Sequence, residues 1–157
     1  MADDWAGDKG RFWAEQSEWF SRLLADFGEA LLEGAALQPG ERVLDVGCGN
    51  GDVVVAAAAL VAPDGDVVGV DLSADQLDVA TVRASRADLT NVELRVADAS
   101  ADDLGGPYDV LVSRFGVMFF DDAVGAFTHL HGAMRAGGRT AFVCWQPVEE
   151  NPWLLLP

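Results

Sequence analysis

Between Arg42 and Trp145, short apolar runs alternate with helical segments. This alternation limits the possible fold more than any other feature. Arg42 to Val46, Asp66 to Val70, Val92 to Ala97, Asp109 to Ser113 and Arg139 to Trp145 read as five strands. Asp52 to Val61 reads as an almost wholly apolar helix, and Ser73 caps a helix running to about Ala87. Asp121 or Asp122 caps a further helix reaching Met134, which Gly137-Gly138 stops. Pro63-Asp64-Gly65 is a turn signal, and Gly105-Gly106-Pro107 breaks the chain before the fourth strand. Strands and helices at this spacing predict a mainly parallel sheet with helices on its faces. Right-handed crossovers then make it an α/β doubly wound, Rossmann-like fold.

Ahead of the first strand the pattern is helical. Phe12, Trp13, Phe20, Leu23, Leu24, Phe27, Leu31 and Leu32 recur at spacings of three and four between Arg11 and Leu37. Gly28 and Gly34 are its weak points, and Pro39-Gly40 ends it. The expected organisation is an N-terminal helical segment over 1–38, one amphipathic helix or two, and a Rossmann-like domain over 39–157. Pro147 and Pro152 end regular structure. Neither an internal repeat nor a low-complexity linker interrupts the chain.

The charge balance excludes some partners. The formal net charge is −16, which repels a phosphate backbone and an anionic membrane surface, so neither nucleic acid nor membrane is an expected partner. No stretch reaches the ~18 apolar residues that span a bilayer. The first ten residues hold Asp3, Asp4 and Asp8 and no apolar run, unlike a signal peptide. Two cysteines, Cys48 and Cys144, make no disulfide framework, so a cytoplasmic location is expected.

In an open α/β sheet, ligands bind beyond the carboxyl ends of the strands. Here the turn after the first strand is Gly47-Cys48-Gly49-Asn50-Gly51. Glycines let backbone turn tightly and let a ligand approach closely. A dinucleotide site expects G-x-G-x-x-G, whereas this spacing is G-x-G-x-G followed by Asp52. Asp52 would repel a pyrophosphate, and Asp45 adds a second negative charge just before the glycines. Both acids suit a ligand with a positive centre, such as a sulfonium carrying an amino group. Cys48 reads as a small loop-lining residue, since no histidine lies near it in sequence.

Val43-Leu44-Asp45-Val46-Gly47-Cys48-Gly49-Asn50-Gly51 resembles the first motif of class I S-adenosylmethionine-dependent methyltransferases, of the type that act on small molecules. Further positions fit the resemblance. Asp71 closes Val67-Val68-Gly69-Val70-Asp71, where the family's acid takes the ribose hydroxyls and the following residue, Leu72, packs on adenine. Asp98 follows the third strand, where an acid accepts from the adenine amino group and the N–H of Ala99 meets the ring. Tyr108 to Ser113 resembles the fourth-strand motif, and Arg135 to Arg139 the turn into the fifth strand. The resemblance thus implies S-adenosylmethionine as cofactor and the strand order 3-2-1-4-5. It assigns Asp45, Gly47, Cys48, Gly49, Asn50, Asp71, Leu72, Asp98, Ala99, Ser113 and Arg114 to cofactor binding. The family's last two strands are not among those read here. The chain is therefore expected to be a fragment, or to pair with another chain through its apolar fifth strand.

Methyl transfer from a sulfonium needs positioning and exclusion of water more than a catalytic dyad. No catalytic residue and no metal site is assigned. Arg114 would either hold an acceptor carboxylate or pair with an acid at the surface. Phe115, Met118, Phe119 and Phe120 would wall an acceptor pocket or pack in the core, and Trp13 and Trp19 would form part of a lid or pack. His129 and His131 lie two residues apart on a helix and point to different sides, as metal ligands would not. The expected function is methyl transfer to a small-molecule acceptor. The alternatives are a module that holds the cofactor without catalysis, an inactive fragment, or a nicotinamide-dependent oxidoreductase.

Overall fold

The computed structural model describes residues 2–151, with side chains from Asp4 onward; Pro152 lies outside them. Its centre is a five-stranded, all-parallel sheet of order β3-β2-β1-β4-β5. The strands are β1 (Arg42–Val46), β2 (Asp66–Asp71), β3 (Val92–Val96), β4 (Tyr108–Arg114) and β5 (Met134–Val143). Four helices precede the sheet: α1 (Ala2–Trp5), α2 (Asp8–Glu15), α3 (Ser17–Leu23) and α4 (Ala25–Ala35). Three more cross between strands: α5 (Asp52–Val61), α6 (Ala74–Arg86) and α7 (Ala123–Gly132).

Side-chain alternation along each strand divides the core in two. Val43, Val67, Val110 and Val112 pack with α4 and α5 on one face. Leu44, Val46, Val68, Val70 and Leu111 face the opposite way and pack with Tyr108, Val117 and Leu130. Both faces are thus covered, as a parallel sheet requires. Ala57 and Ala58 are fully buried, so the alanine run of α5 lets that helix lie close on the strands. The helix starts read from the sequence hold: Ser73 Oγ accepts from Gln76 N at 3.3 Å, and Asp122 Oδ1 accepts from Gly125 N at 3.0 Å.

Three expectations need correction. The N-terminal region is four short helices beginning at Ala2, not one or two beginning at Arg11. Gly28 and Gly34 stay inside α4, and the breaks fall at Gln16 (φ −98°, ψ 17°) and Leu24 (φ −105°, ψ 9°). A single helix over that stretch would run roughly 40 Å. The breaks instead fold the segment back, so that α2 meets α6 while α4 lies on β4 and β5.

The second correction concerns α7, which ends at Gly132, with β5 starting at Met134. Gly137-Gly138 therefore stops no helix. It lies in a bulge, where Tyr108 and Val110 of β4 pair with Met134 and Arg139 of β5, and Gly137 supplies a φ of +76°. Third, β5 ends at Val143, and Trp145 leaves the sheet to stack on Phe115.

Candidate functional site

One cavity of about 440 Å³ opens beyond the carboxyl ends of the strands, between the glycine turn and the N-terminal helices. Residues 45–47, 70–72, 97–100 and 114–116, which end or follow the first four strands, form its floor. Trp5, Trp13, Phe20 and Leu24 close it from the N-terminal side.

The turn is held mainly by backbone. Gly47 N and Cys48 N both donate to Val70 O, at 2.9 and 3.0 Å, which ties the end of β1 to the end of β2. Gly47 has φ +67°, and a Cβ there would stand 2.7 Å from Gly116 Cα. Only glycine meets both the backbone conformation and the close approach of the loop after β4.

Asp71 fixes the next part of the turn. Its Oδ2 accepts from Gly49 N at 2.8 Å and its Oδ1 from Ser73 N at 2.9 Å. Burial raises its pKa, and these backbone donors oppose the rise.

Asp45 differs. It is 1% exposed, and its Oδ2 has no hydrogen-bond partner. Burial pushes its pKa up to about 7, helped by the charges of Asp71 and Asp52 and opposed by Arg114. An unpaired buried carboxyl oxygen is costly unless something else meets it. Asn50 is similar: its Nδ2 donates to Trp13 O at 3.2 Å, while its buried Oδ1 has no partner. Trp5 Nε1 is also buried without a partner. Three of the four such atoms among the described residues thus belong to residues lining this one cavity.

Ten of the eleven residues assigned to cofactor binding line the cavity; Ser113 does not. Fully buried, Ser113 donates from Oγ to Val46 O at 2.7 Å and accepts there from Val117 N at 3.2 Å. It braces the turn after β4 against β1. Asp98 is half-buried, and its Oδ1 accepts from Ser100 N at 2.8 Å and Ser100 Oγ at 2.6 Å.

Arg114 reaches the cavity but is engaged, through Nη2 to Asp52 Oδ2 at 3.1 Å and through Nη1 to Leu24 O at 3.2 Å. Of its two expected roles, pairing with an acid is the one present, and that acid is half-buried rather than on the surface. Asp52 also takes Arg83 and a Ser21 Oγ donor at 2.9 Å. The expectation that Asp52 acts on a ligand as an uncompensated charge is therefore corrected: two guanidiniums neutralise it and a hydroxyl hydrogen-bonds to it. Of the two acids that flank the turn, Asp45 is the one with a buried oxygen lacking a partner.

The remaining expectations divide. Phe115, Phe119 and Phe120 line the cavity with Trp13, whereas Met118 and Trp19 do not. His129 and His131 point apart, His129 Nε2 lying 2.8 Å from Asp102 O, and no cluster of metal-ligating side chains exists among the described residues. Burial pushes the Cys48 thiol well up, against any nucleophilic role. Sequence reasoning missed Trp5, Phe20, Gln76, Asp121 and Trp145 as lining residues. Phe115 at φ +70° starts the turn that brings Gly116 against Gly47, and nothing in the local sequence announces it.

Comparison with known proteins agrees with this geometry. Residues 37–147 match the family described as Methyltransferase domain. The chain is 33% identical over 133 residues to aklanonic acid methyltransferase DauC of Streptomyces sp. (strain C5), covering 82% of this chain and 60% of that protein. It therefore spans less than two thirds of that relative's length. A TehB-like SAM-dependent methyltransferase from Corynebacterium glutamicum superposes with a TM-score of 0.66 at 27% identity, covering 88% of this chain and 79% of the other. Coclaurine N-methyltransferase, solved with N-methylheliamine and S-adenosylhomocysteine, shares the fold, with a TM-score of 0.69 at 22% identity over 75% of this chain and 34% of that one. With the family match covering most of the sequence and the glycine turn at the mouth of the cavity, the chain belongs to the methyltransferase-domain family.

Proposed function

We propose that this chain binds S-adenosylmethionine and takes part in transfer of its methyl group to a small-molecule acceptor. The observation that carries the reading is Asp45, a buried carboxyl oxygen without a partner beside a cavity whose lining, among the described residues, holds no uncommitted cation. Such a site fits a ligand with a positive amino group and disfavours a pyrophosphate. When bound, S-adenosylmethionine would supply an electrophilic methyl on its sulfonium, open to in-line attack by an acceptor lone pair with S-adenosylhomocysteine as the leaving group.

The chain's own residues bind and shield. Asp45 offers an anionic oxygen to the amino group. Asp71 keeps carboxylate lone pairs beyond those given to Gly49 and Ser73, and these would accept from ribose hydroxyls. Asp98 would take the adenine amine, with Leu72 and Ala99 against the ring. Arg114 holds Asp52 and the C-terminal end of α3, so its part is to keep the wall closed rather than to grip an acceptor. No helix among the described residues is long and apolar enough to cross a membrane. The free thiols of Cys48 and Cys144 support our reading of a cytoplasmic location. The outer edge of β5, paired only to β4 among the described residues, is the surface through which copies would associate.

Calorimetric titration tests the reading. S-adenosylhomocysteine should bind and a nicotinamide dinucleotide should not. Folded protein that gives no heat with S-adenosylhomocysteine removes the proposal.

A further inference from the structure

Two properties of the cavity bear on what else enters it. The first is its aromatic lining. Trp13 stacks on Phe20 with ring centres 3.6 Å apart and planes 5° from parallel. Phe115 stacks on Trp145 at 4.6 Å and 2°. Trp5 meets Trp13 at 5.9 Å and Phe119 edge-on at 5.0 Å. All six rings line the cavity. Flat apolar walls of this kind favour a flat apolar occupant, since face and edge contacts add to the area buried.

The second property is charge. Among the described residues six aspartates line the cavity, against a single cation, Arg114. That cation is bound to Asp52 and Leu24 O. Asp45, Asp71 and Asp98 fall to the cofactor and Asp52 is neutralised by Arg83 and Arg114, which leaves Asp121 and Asp122 to face a second occupant. Lys9 stands 4.9 Å over the Trp5 ring but does not line the cavity. The cofactor's own carboxylate carries its ammonium beside it, but a further carboxylate or phosphate would meet Asp121 and Asp122 and no uncommitted cation among the described lining residues, in a partly desolvated space where repulsion is strong. A cationic or neutral group meets no such cost, and aromatic faces favour a cation.

We infer that the acceptor is a flat, conjugated small molecule carrying no negative charge, held by the Trp5–Trp13–Phe20 wall. Calling this occupant an acceptor rests on the methyl-transfer reading; its shape and charge rest on the lining alone. The selectivity resides in Trp13 and in the absence of an uncommitted guanidinium.

The test uses the full chain and three probes that share a naphthalene ring and carry a neutral, a cationic and an anionic substituent: 2-naphthol, 2-(aminomethyl)naphthalene and 2-naphthoate. Binding is measured by equilibrium dialysis near neutral pH, with and without S-adenosylhomocysteine. The neutral and cationic probes should bind at least about tenfold more tightly than the carboxylate, equivalent to ~1.4 kcal/mol. Trp13→Leu should weaken 2-naphthol by about three- to tenfold, the worth of an aromatic pair, and by more than it weakens S-adenosylhomocysteine. Thermal melting checks that this variant folds, and Leu60→Ala, exposed on α5 and outside the cavity, should leave 2-naphthol affinity unchanged. Equal binding of 2-naphthoate and 2-naphthol, no binding of any probe, or no selective effect of Trp13→Leu overturns the inference. Failure of S-adenosylhomocysteine to bind strikes the cofactor reading alone, because the charge series is also read without it.

Discussion

The two sides of the cavity are built by different means. On the sheet side, the glycine turn is tied through its backbone N–H groups: Gly47 N and Cys48 N donate to Val70 O, and Gly49 N, with Ser73 N, donates to the Asp71 carboxylate. On the helix side, the N-terminal segment is held by side chains that converge on one acid, Asp52, which takes Ser21 from α3, Arg83 from α6 and Arg114 from the end of β4. Backbone ties fix a geometry that few substitutions can alter. A wall pinned by a charged node and stacked rings changes with single side chains. This arrangement suits a pocket that pairs a constant cofactor with an acceptor differing between relatives.

The comparison breaks most visibly at Gly47. Gly47→Val would place a branched side chain at φ +67° with its Cβ 2.7 Å from Gly116 Cα. Stability should fall by about 3 kcal/mol, and S-adenosylhomocysteine binding should disappear. Urea denaturation and calorimetry read the two effects. A variant that binds normally would mean that the turn is not rigid.

Asp52→Ala is the corresponding cut on the helix side. It leaves Arg83 and Arg114, 17% and 14% exposed, without their shared partner. A loss of about 2 kcal/mol is expected, less than for a fully buried pair. Tryptophan emission should shift to the red as Trp5 and Trp13 loosen, and S-adenosylhomocysteine affinity should fall less than in Gly47→Val. If the cofactor side suffers equally, the two sides are one unit and the contrast is wrong.

Legibility from sequence follows the same division. The strands, the caps at Ser73 and Asp122 and the glycine turn are local features, and each was readable within a few residues. The node at Asp52 was not, because Ser21 lies 31 residues away and Arg114 lies 62. Seen in sequence, Asp52 is an acid at a ligand-facing helix start; only packing supplies its partners. Trp5 and Trp145 join the cavity from opposite ends of the chain, beyond any periodicity. Gly137-Gly138 misled because a glycine pair suits a helix end and a bulge equally, and the pairing of β5 with β4 decided between them.

Asp45 separates the two sides most sharply, and its effect is spread over a pH window rather than present at one pH. Both Asp45 and Asp52 flank the same turn, yet only Asp45 has a buried oxygen without a partner. Its folded pKa of about 7 lies above the ordinary carboxylate value of about 3.9. Between those values the folded protein holds a proton that the unfolded chain has released. Stability therefore falls as pH rises through that window, by at most ~1.4 kcal/mol per pH unit, and the penalty is fully present above it. Asp45→Asn keeps the shape and removes the titration, so the difference between wild type and variant should change across this window and flatten above it. Burial of Asp71 contributes with the same sign in both proteins, so the difference reports Asp45 together with its repulsion from Asp71. A cationic amino group at Asp45 favours the ionised form, so S-adenosylhomocysteine affinity should rise with pH up to about 7 in the wild type and stay level in Asp45→Asn. Parallel stability curves would mean that Asp45 finds a partner in the free protein. Parallel affinity curves would mean that the ligand's positive group sits elsewhere, and the sheet side would lose the one charge that sets it apart.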